Sequence, residues 1–130
     1  MARSTTGRPT DLELELLKVL WERGPSTVRE VLAAMSDLRE IGYTTVLKVL
    51  QIMRDKGLVQ CDKRKRPQVY RSRQSRQVVL KQLAGDLLER AFGGSTRQLL
   101  LHALETRQKC PPEELAELRK LLDEIEGSAS

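Results

Sequence analysis

Two motifs that begin helices lie close together near the start of the chain. Thr10-Asp11-Leu12-Glu13 and Thr27-Val28-Arg29-Glu30 are capping boxes, in which a Thr hydroxyl and a Glu carboxylate satisfy free amides at a helix start. Apolar residues follow each box at helical spacing, and Gly24-Pro25 separates the two segments. The sequence therefore predicts two short helices, with a very short strand possible within residues 24–26.

A third helix and a hairpin are predicted next. Val46, Val49, Leu50 and Met53 repeat the helical spacing, and Lys56-Gly57 is typical of a helix end. Two β-prone stretches, residues 58–61 and 68–71, flank the basic segment 62–67. Three helices followed by a hairpin is the order of a winged helix-turn-helix, in which the third helix enters the major groove of DNA.

Three more helices are predicted after the hairpin, so the chain is mainly α. The expected organisation is an N-terminal arm (1–8), a winged-helix DNA-binding domain (9–73), a helical dimerisation region (74–126) and a flexible tail (127–130). Short helices after a complete winged helix have little to pack against except a second copy, although an intramolecular bundle is the alternative. The predicted dimerisation residues are Leu80, Leu83, Leu87, Leu100, Leu104, Leu115, Leu118 and Leu122.

The basic charge is concentrated in the first part of the chain. Residues 1–73 hold 15 Lys and Arg against 9 Asp and Glu, whereas residues 74–130 hold 8 against 9. This asymmetry indicates a polyanionic partner for the N-terminal part, with a solvated basic face as the alternative.

Helical geometry gives the candidate groove residues. The face opposite Val46, Val49, Leu50 and Met53 carries Asp55, which is expected to point to solvent or to Arg54 and Lys63. The remaining residues of this face have side chains that suit base edges. These predicted base readers are Thr44, Thr45, Lys48 and Gln51.

The hairpin tip holds consecutive cations that repel one another, and DNA phosphates would relieve the repulsion. The predicted contacts to the DNA backbone are Tyr43, Arg54, Lys63, Arg64, Lys65 and Arg66. The alternative is a winged helix that binds a protein instead of DNA. Retention on DNA with a strong salt dependence would favour the DNA-binding hypothesis.

Catalysis and cofactor binding are poorly supported. The single histidine, His102, has no second ligand one turn away, and no Gly-rich phosphate loop is present. Cys61 and Cys110 are sparse and unpatterned, which fits reduced thiols in the cytoplasm, and redox sensing by either is left open. No apolar run approaches the roughly 20 residues of a membrane helix. We therefore expect a cytoplasmic protein that is neither an enzyme nor a holder of a cofactor or metal.

Several stretches resemble the penicillinase repressor (BlaI/MecI) family, over residues 9–122. They are DLELELLKVLW (11–21), TVREV (27–31), YTTVL (43–47), KGLV (56–59), FGGS (92–95) and PEELAEL (112–118), of which the YTTV stretch is the most specific. The resemblance implies a homodimeric repressor that binds palindromic operators and controls antibiotic-resistance or stress genes.

The resemblance also bears on induction. In the founding members, a membrane sensor protease triggers cleavage of the repressor between an Asn and a Phe. This chain has His102-Ala103 at about that place. The resemblance therefore makes His102 and Ala103 the possible cleavage region, although the residue types differ. The copper-sensing branch holds metal on a C-terminal cysteine cluster, where this chain has Cys110 alone.

Overall fold

A computed structural model describes residues 8–106 and 111–129 of the chain. The helices and strands are α1 (Asp11–Arg23), β1 (Ser26–Thr27), α2 (Val28–Ser36), α3 (Tyr43–Lys56), β2 (Val59–Asp62), β3 (Val69–Ser72), α4 (Arg76–Phe92), α5 (Thr96–Thr106) and α6 (Pro112–Ala129). The strands form one antiparallel sheet with β3 in the centre. The fold is a winged helix followed by C-terminal helices, as the order of the sequence patterns predicted.

Both predicted capping boxes are present. The backbone N–H of Thr10 donates to Glu13 Oε1 (2.8 Å), and the N–H of Glu13 donates to Thr10 Oγ1 (3.2 Å). Thr27 and Glu30 make the same two bonds at 2.8 and 3.2 Å. The starts of α1 and α2 are therefore fixed by local side chains, which is why the sequence alone located them.

The core of the winged helix lies where the first three helices face the sheet. Tyr70 of the central strand is 1% exposed, and Val59 of the neighbouring strand β2 is 2% exposed. The fully buried helical side chains are Leu16, Leu17, Val31, Met35, Val46, Leu50 and Met53. Burial of side chains of this size stabilises the fold by roughly 1.5–3 kcal/mol each. It also fixes which face of α3 points inward.

The hairpin begins one residue later than predicted. Val59 pairs with Ser72, and Asp62 with Val69. Leu58 lies between α3 and β2, and its N–H donates to the carbonyl of Met53 (2.8 Å) near the end of the helix. The short strand expected near residues 24–26 is present as β1, and Ser26 pairs with Tyr70.

The described residues form two compact units that divide after Ala84. The first unit includes the beginning of α4, because Val79 is 4% exposed and Leu83 packs against the winged-helix core. The compact unit thus extends beyond residue 73, where the sequence placed the domain boundary. The sequence pattern alone gave no sign that α4 would contribute to this core.

The second unit contains the end of α4 together with α5 and α6. Ser95 Oγ accepts a hydrogen bond from the N–H of Gln98 (3.2 Å), which caps the start of α5. Among the side chains described after Val79 (80–105 and 111–127), none is buried. No helix within the described ranges has the length and apolar character needed to cross a membrane.

Candidate nucleic-acid interface

The outer face of α3 is polar and open to solvent. Thr44, Thr45, Lys48 and Gln51 are all exposed, opposite the fully buried Val46, Leu50 and Met53. The three buried side chains hold the helix against the core, so the four predicted base readers are presented together. Hydroxyl, ammonium and amide groups on one helix face can bond to the base edges of a major groove.

Asp55 lies on the same side of α3, near its end. Its side chain is 76% exposed, and Oδ1 lies 3.7 Å from Arg54 Nε. This placement confirms the expectation that Asp55 faces solvent and Arg54. Asp55 would repel phosphate, so the end of α3 is less suited to nucleic acid than its first turns.

The beginning of α3 is shaped by an aromatic residue and a cation from α2. The guanidinium carbon of Arg29 lies 5.2 Å from the ring centre of Tyr43, within the range of a cation–π contact. Gly42 is the N-cap residue, and no side-chain cap hydrogen bond forms there. Sequence reasoning selected Tyr43 but missed Arg29, because only the packing of α2 beside α3 brings the two together.

The wing tip is a run of exposed cations ordered by one carboxylate. Asp62 Oδ1 accepts bonds from the Arg64 N–H (3.0 Å) and from Arg64 Nε (3.1 Å). These bonds hold the pKa of the Asp62 carboxyl below its ordinary value. Lys63, Lys65 and Arg66 are also exposed. The tip therefore has a defined turn while its positive charge stays open to solvent.

A concavity of about 720 Å³ runs along the wing and reaches the end of α3. Arg71 and Arg73 line it together with Arg54 and part of the wing tip. Arg71 and Arg73 were not among the residues predicted from the sequence. Their spacing of two residues on and just beyond β3 was the available signal, because alternate residues of a strand share a face.

Two ion pairs hold the segments around α3 to the start of α1. Lys56 Nζ, in the last turn of α3, donates to Glu13 Oε1 (2.7 Å), and the Glu13 side chain is only 5% exposed. Arg39, between α2 and α3, donates to Glu15 Oε2 (2.7 Å). Glu13 thus serves both the cap of α1 and the end of the candidate recognition helix.

Replacing Glu13 with alanine is expected to lower the free energy of unfolding by about 1–2 kcal/mol, because a cap bond and the bond to Lys56 are lost together. Urea unfolding followed by the fluorescence of Trp21, the single tryptophan, measures this. Its Nε1 donates to Ser72 Oγ (2.9 Å), so its emission reports on the winged-helix unit. Glu15→Ala is the control, since its more exposed ion pair contributes less. Equal losses from both variants would contradict the role assigned to Glu13.

Apolar side chains line the C-terminal helices without being buried in the chain. The predicted dimerisation residues Leu87, Leu104, Leu115 and Leu122 are between 36% and 52% exposed. Leu80, Leu100 and Leu118 are partly exposed, whereas Leu83 packs against the winged-helix core. The sequence-based set omitted three further exposed residues, Leu101, Leu121 and Ile125. The leucine-rich faces of α5 and α6 therefore have more apolar surface than was predicted.

The penicillinase repressor family model matches residues 9–124. The chain belongs to the penicillinase repressor family. It is 36% identical over 129 residues to the transcriptional regulator BlaI from two strains of Mycobacterium tuberculosis, covering 98% of this chain and 90% of the relative. It is 27% identical over 115 residues to the penicillinase repressor of Bacillus licheniformis, covering 88% of this chain and 89% of the relative. The family consists of transcriptional repressors, not enzymes.

The remaining residues singled out by the sequence belong to elements other than α3. His102 and Ala103 are exposed in α5, where the His102 ring lies 5.6 Å from that of Phe92. Cys61 is half-buried in β2, and its thiol lies 3.6 Å from Gln68 Oε1. Cys110 lies outside the described residues. Within the described ranges, no three potential His, Cys, Asp or Glu ligands cluster as a metal site would require.

Proposed function

We propose that this penicillinase repressor family member binds palindromic operator DNA as a homodimer and represses antibiotic-resistance or related stress genes. The observation that carries the proposal is the exposed polar face of α3 beside a wing whose tip holds four consecutive cations. A relative is named a penicillinase repressor, which supports the choice of regulated genes.

The base-reading step is assigned to the first turns of α3. Lys48 can donate to guanine O6 or N7, and Gln51 can form paired bonds with adenine. Thr44 and Thr45 offer hydroxyls for base edges or phosphates and methyl groups for thymine. The buried inner face of α3 fixes the helix from which these side chains project, so binding has to order the side chains but not the helix itself.

The backbone step is assigned to the cations that flank α3. When α3 lies in the major groove, the wing reaches the neighbouring minor groove, and the phosphate strand between the grooves passes the concavity along the wing. Arg54, Arg71 and Arg73 line that concavity. The proposed backbone contacts are these three residues together with Arg29, Tyr43, Lys63, Arg64, Lys65 and Arg66.

The dimer step is assigned to the C-terminal helices. The exposed leucines of α5 and α6 would be covered by a second copy of the same faces, which removes apolar surface from water. Two identical winged helices related by a two-fold axis match an operator with two-fold symmetry. The family resemblance implies that a sensor protease would release the repressor from DNA by cleavage near His102 and Ala103.

Selection from a random duplex library tests the proposal, and the purified chain is expected to enrich a palindromic site. Lys48→Ala should then lose on the order of 100-fold in affinity for that site and relax preference at one base pair of each half-site, because the dimer loses two base contacts that are each worth about 1–3 kcal/mol. Kd is measured on the selected duplex and on its single-base variants. Lys81→Ala, which removes an exposed cation from α4, is the matched control. Failure to enrich any sequence would refute operator binding.

A further inference from the structure

We infer that Ile52 is a specificity-determining residue that reads a thymine methyl group in the major groove, an inference that rests on the proposed DNA binding. Ile52 lies in the third turn of α3 and is 40% exposed. Ile52 was not among the residues predicted to contact DNA, because an isoleucine within a helix is ordinarily a core residue.

The position of Ile52 on α3 places it among the predicted base readers. It follows Lys48 by four residues and Thr45 by seven, and residues at these spacings lie on one stripe of a helix. The inward side of α3 is already filled by Val46, Leu50 and Met53, each fully buried. Ile52 is therefore an aliphatic group held on the same surface as Thr45 and Lys48.

The chemistry of an aliphatic side chain limits what Ile52 can recognise. It can neither donate nor accept a hydrogen bond, so a polar base edge placed against it would lose water without gaining a partner. In the major groove, the thymine C5 methyl is the one apolar group that a base pair presents. Ile52 thus favours thymine at the base it meets and disfavours cytosine, whose amino group would be left unpaired.

Exposure alone does not carry this inference, because single apolar side chains are common on protein surfaces. Leu38 is 68% exposed and Val78 is 43% exposed, but Leu38 precedes α3 and Val78 lies on α4. Ile52 differs from them in sharing a helix stripe with two predicted base readers. Val78 therefore provides a matched control for the loss of an exposed aliphatic group.

The test removes the methyl groups from the DNA and the aliphatic group from the protein separately. In the duplex selected by the wild-type chain, each thymine is replaced in turn by deoxyuridine, which lacks only the C5 methyl. Loss of one buried methyl contact is expected to weaken wild-type binding about fourfold at one thymine per half-site. Because the dimer holds two copies of Ile52, Ile52→Ala should bind the thymine duplex about sixteenfold more weakly and show no further loss with deoxyuridine at that position.

A second measurement adds a methyl group to the DNA instead of removing one. At the same position, 5-methylcytosine should bind the wild-type chain more tightly than cytosine, and Ile52→Ala should not distinguish them. Val78→Ala should retain the full wild-type sensitivity to deoxyuridine. Because Ile52 is exposed and alanine is a stronger helix former, the Ile52→Ala chain is expected to stay folded.

Two results would overturn the assignment while leaving operator binding intact. One is a wild-type chain that binds its selected duplex but tolerates deoxyuridine at every thymine. The other is an Ile52→Ala chain that keeps the wild-type sensitivity, since another group would then read the methyl. A wild-type chain that selects no duplex would instead remove the proposed function and this inference together.

Discussion

A chain in which Lys63, Arg64, Lys65 and Arg66 are all replaced by alanine is expected to lose on the order of 100- to 1,000-fold in DNA affinity at physiological salt. Each neutralised phosphate contributes about 0.9 to the slope of log K against log salt concentration. Removing four contacts per protomer should therefore lower that slope by about 3–4 per protomer. Base preference should change little, because phosphate contacts position the protein without reading sequence.

The test is to measure Kd from 50 to 300 mM salt on a selected duplex and on a shuffled duplex. The salt slope and the base preference are both read from these values. The control replaces Lys18, Lys81, Arg97 and Arg119 with alanine, which removes the same number of exposed positive charges from α1, α4, α5 and α6. Its salt slope should stay close to that of the wild type. If the two variants lost affinity equally, net charge would explain binding and the wing would have no specific part in it.

Arg64 is expected to contribute least among the four wing cations. Its side chain already bonds to Asp62, and a phosphate would have to compete with that carboxylate. The bond orders the turn that presents Lys63 and Lys65, so Asp62 supports the wing while reducing its net positive charge. This balance is visible only in the structure, because sequence reasoning treated the four cations as equivalent.

Features of the fold that depend on neighbouring residues were predictable from the sequence. The Thr10 and Thr27 capping boxes, the helical stripe from Val46 to Met53 and the glycine stop at Gly57 are local signals. Gly57 has a positive φ of 84°, a conformation that glycine adopts without the steric penalty of a Cβ. These signals placed α3 correctly and with it the side of the helix that carries the polar residues.

Features that depend on distant residues were not predictable. Glu13 bonds to Lys56, 43 positions along the chain, and both residues also fit ordinary local roles as a cap and a helix-end cation. Val79 joins a core formed by much earlier residues, so a boundary at residue 73 followed from the end of the hairpin but missed this contact. Ile52 was overlooked for the opposite reason, because its residue type suggested burial and its position on the helix leaves it exposed.

Substituting aspartate for both Leu118 and Leu122 is expected to convert the proposed dimer to a monomer. The two side chains lie one helical turn apart on α6, where Leu122 is 52% exposed in the single chain. Charged groups at the centre of an apolar interface would lose their hydration without gaining partners. Light scattering at micromolar concentration should give twice the 14.8 kDa chain mass for the wild type and the single mass for the variant.

The same variant separates assembly from DNA contact. Two linked winged helices bind a palindrome with an avidity that exceeds either half by roughly 10²–10⁴, so the monomer should lose affinity by that factor and about half of its salt slope. Leu38→Asp, at an exposed leucine before α3, should leave the mass unchanged. Substitution is preferable to truncation after residue 73, because truncation would also remove Val79 from the core. A wild-type chain that binds its operator at full affinity while remaining at 14.8 kDa would show that α5 and α6 serve another purpose.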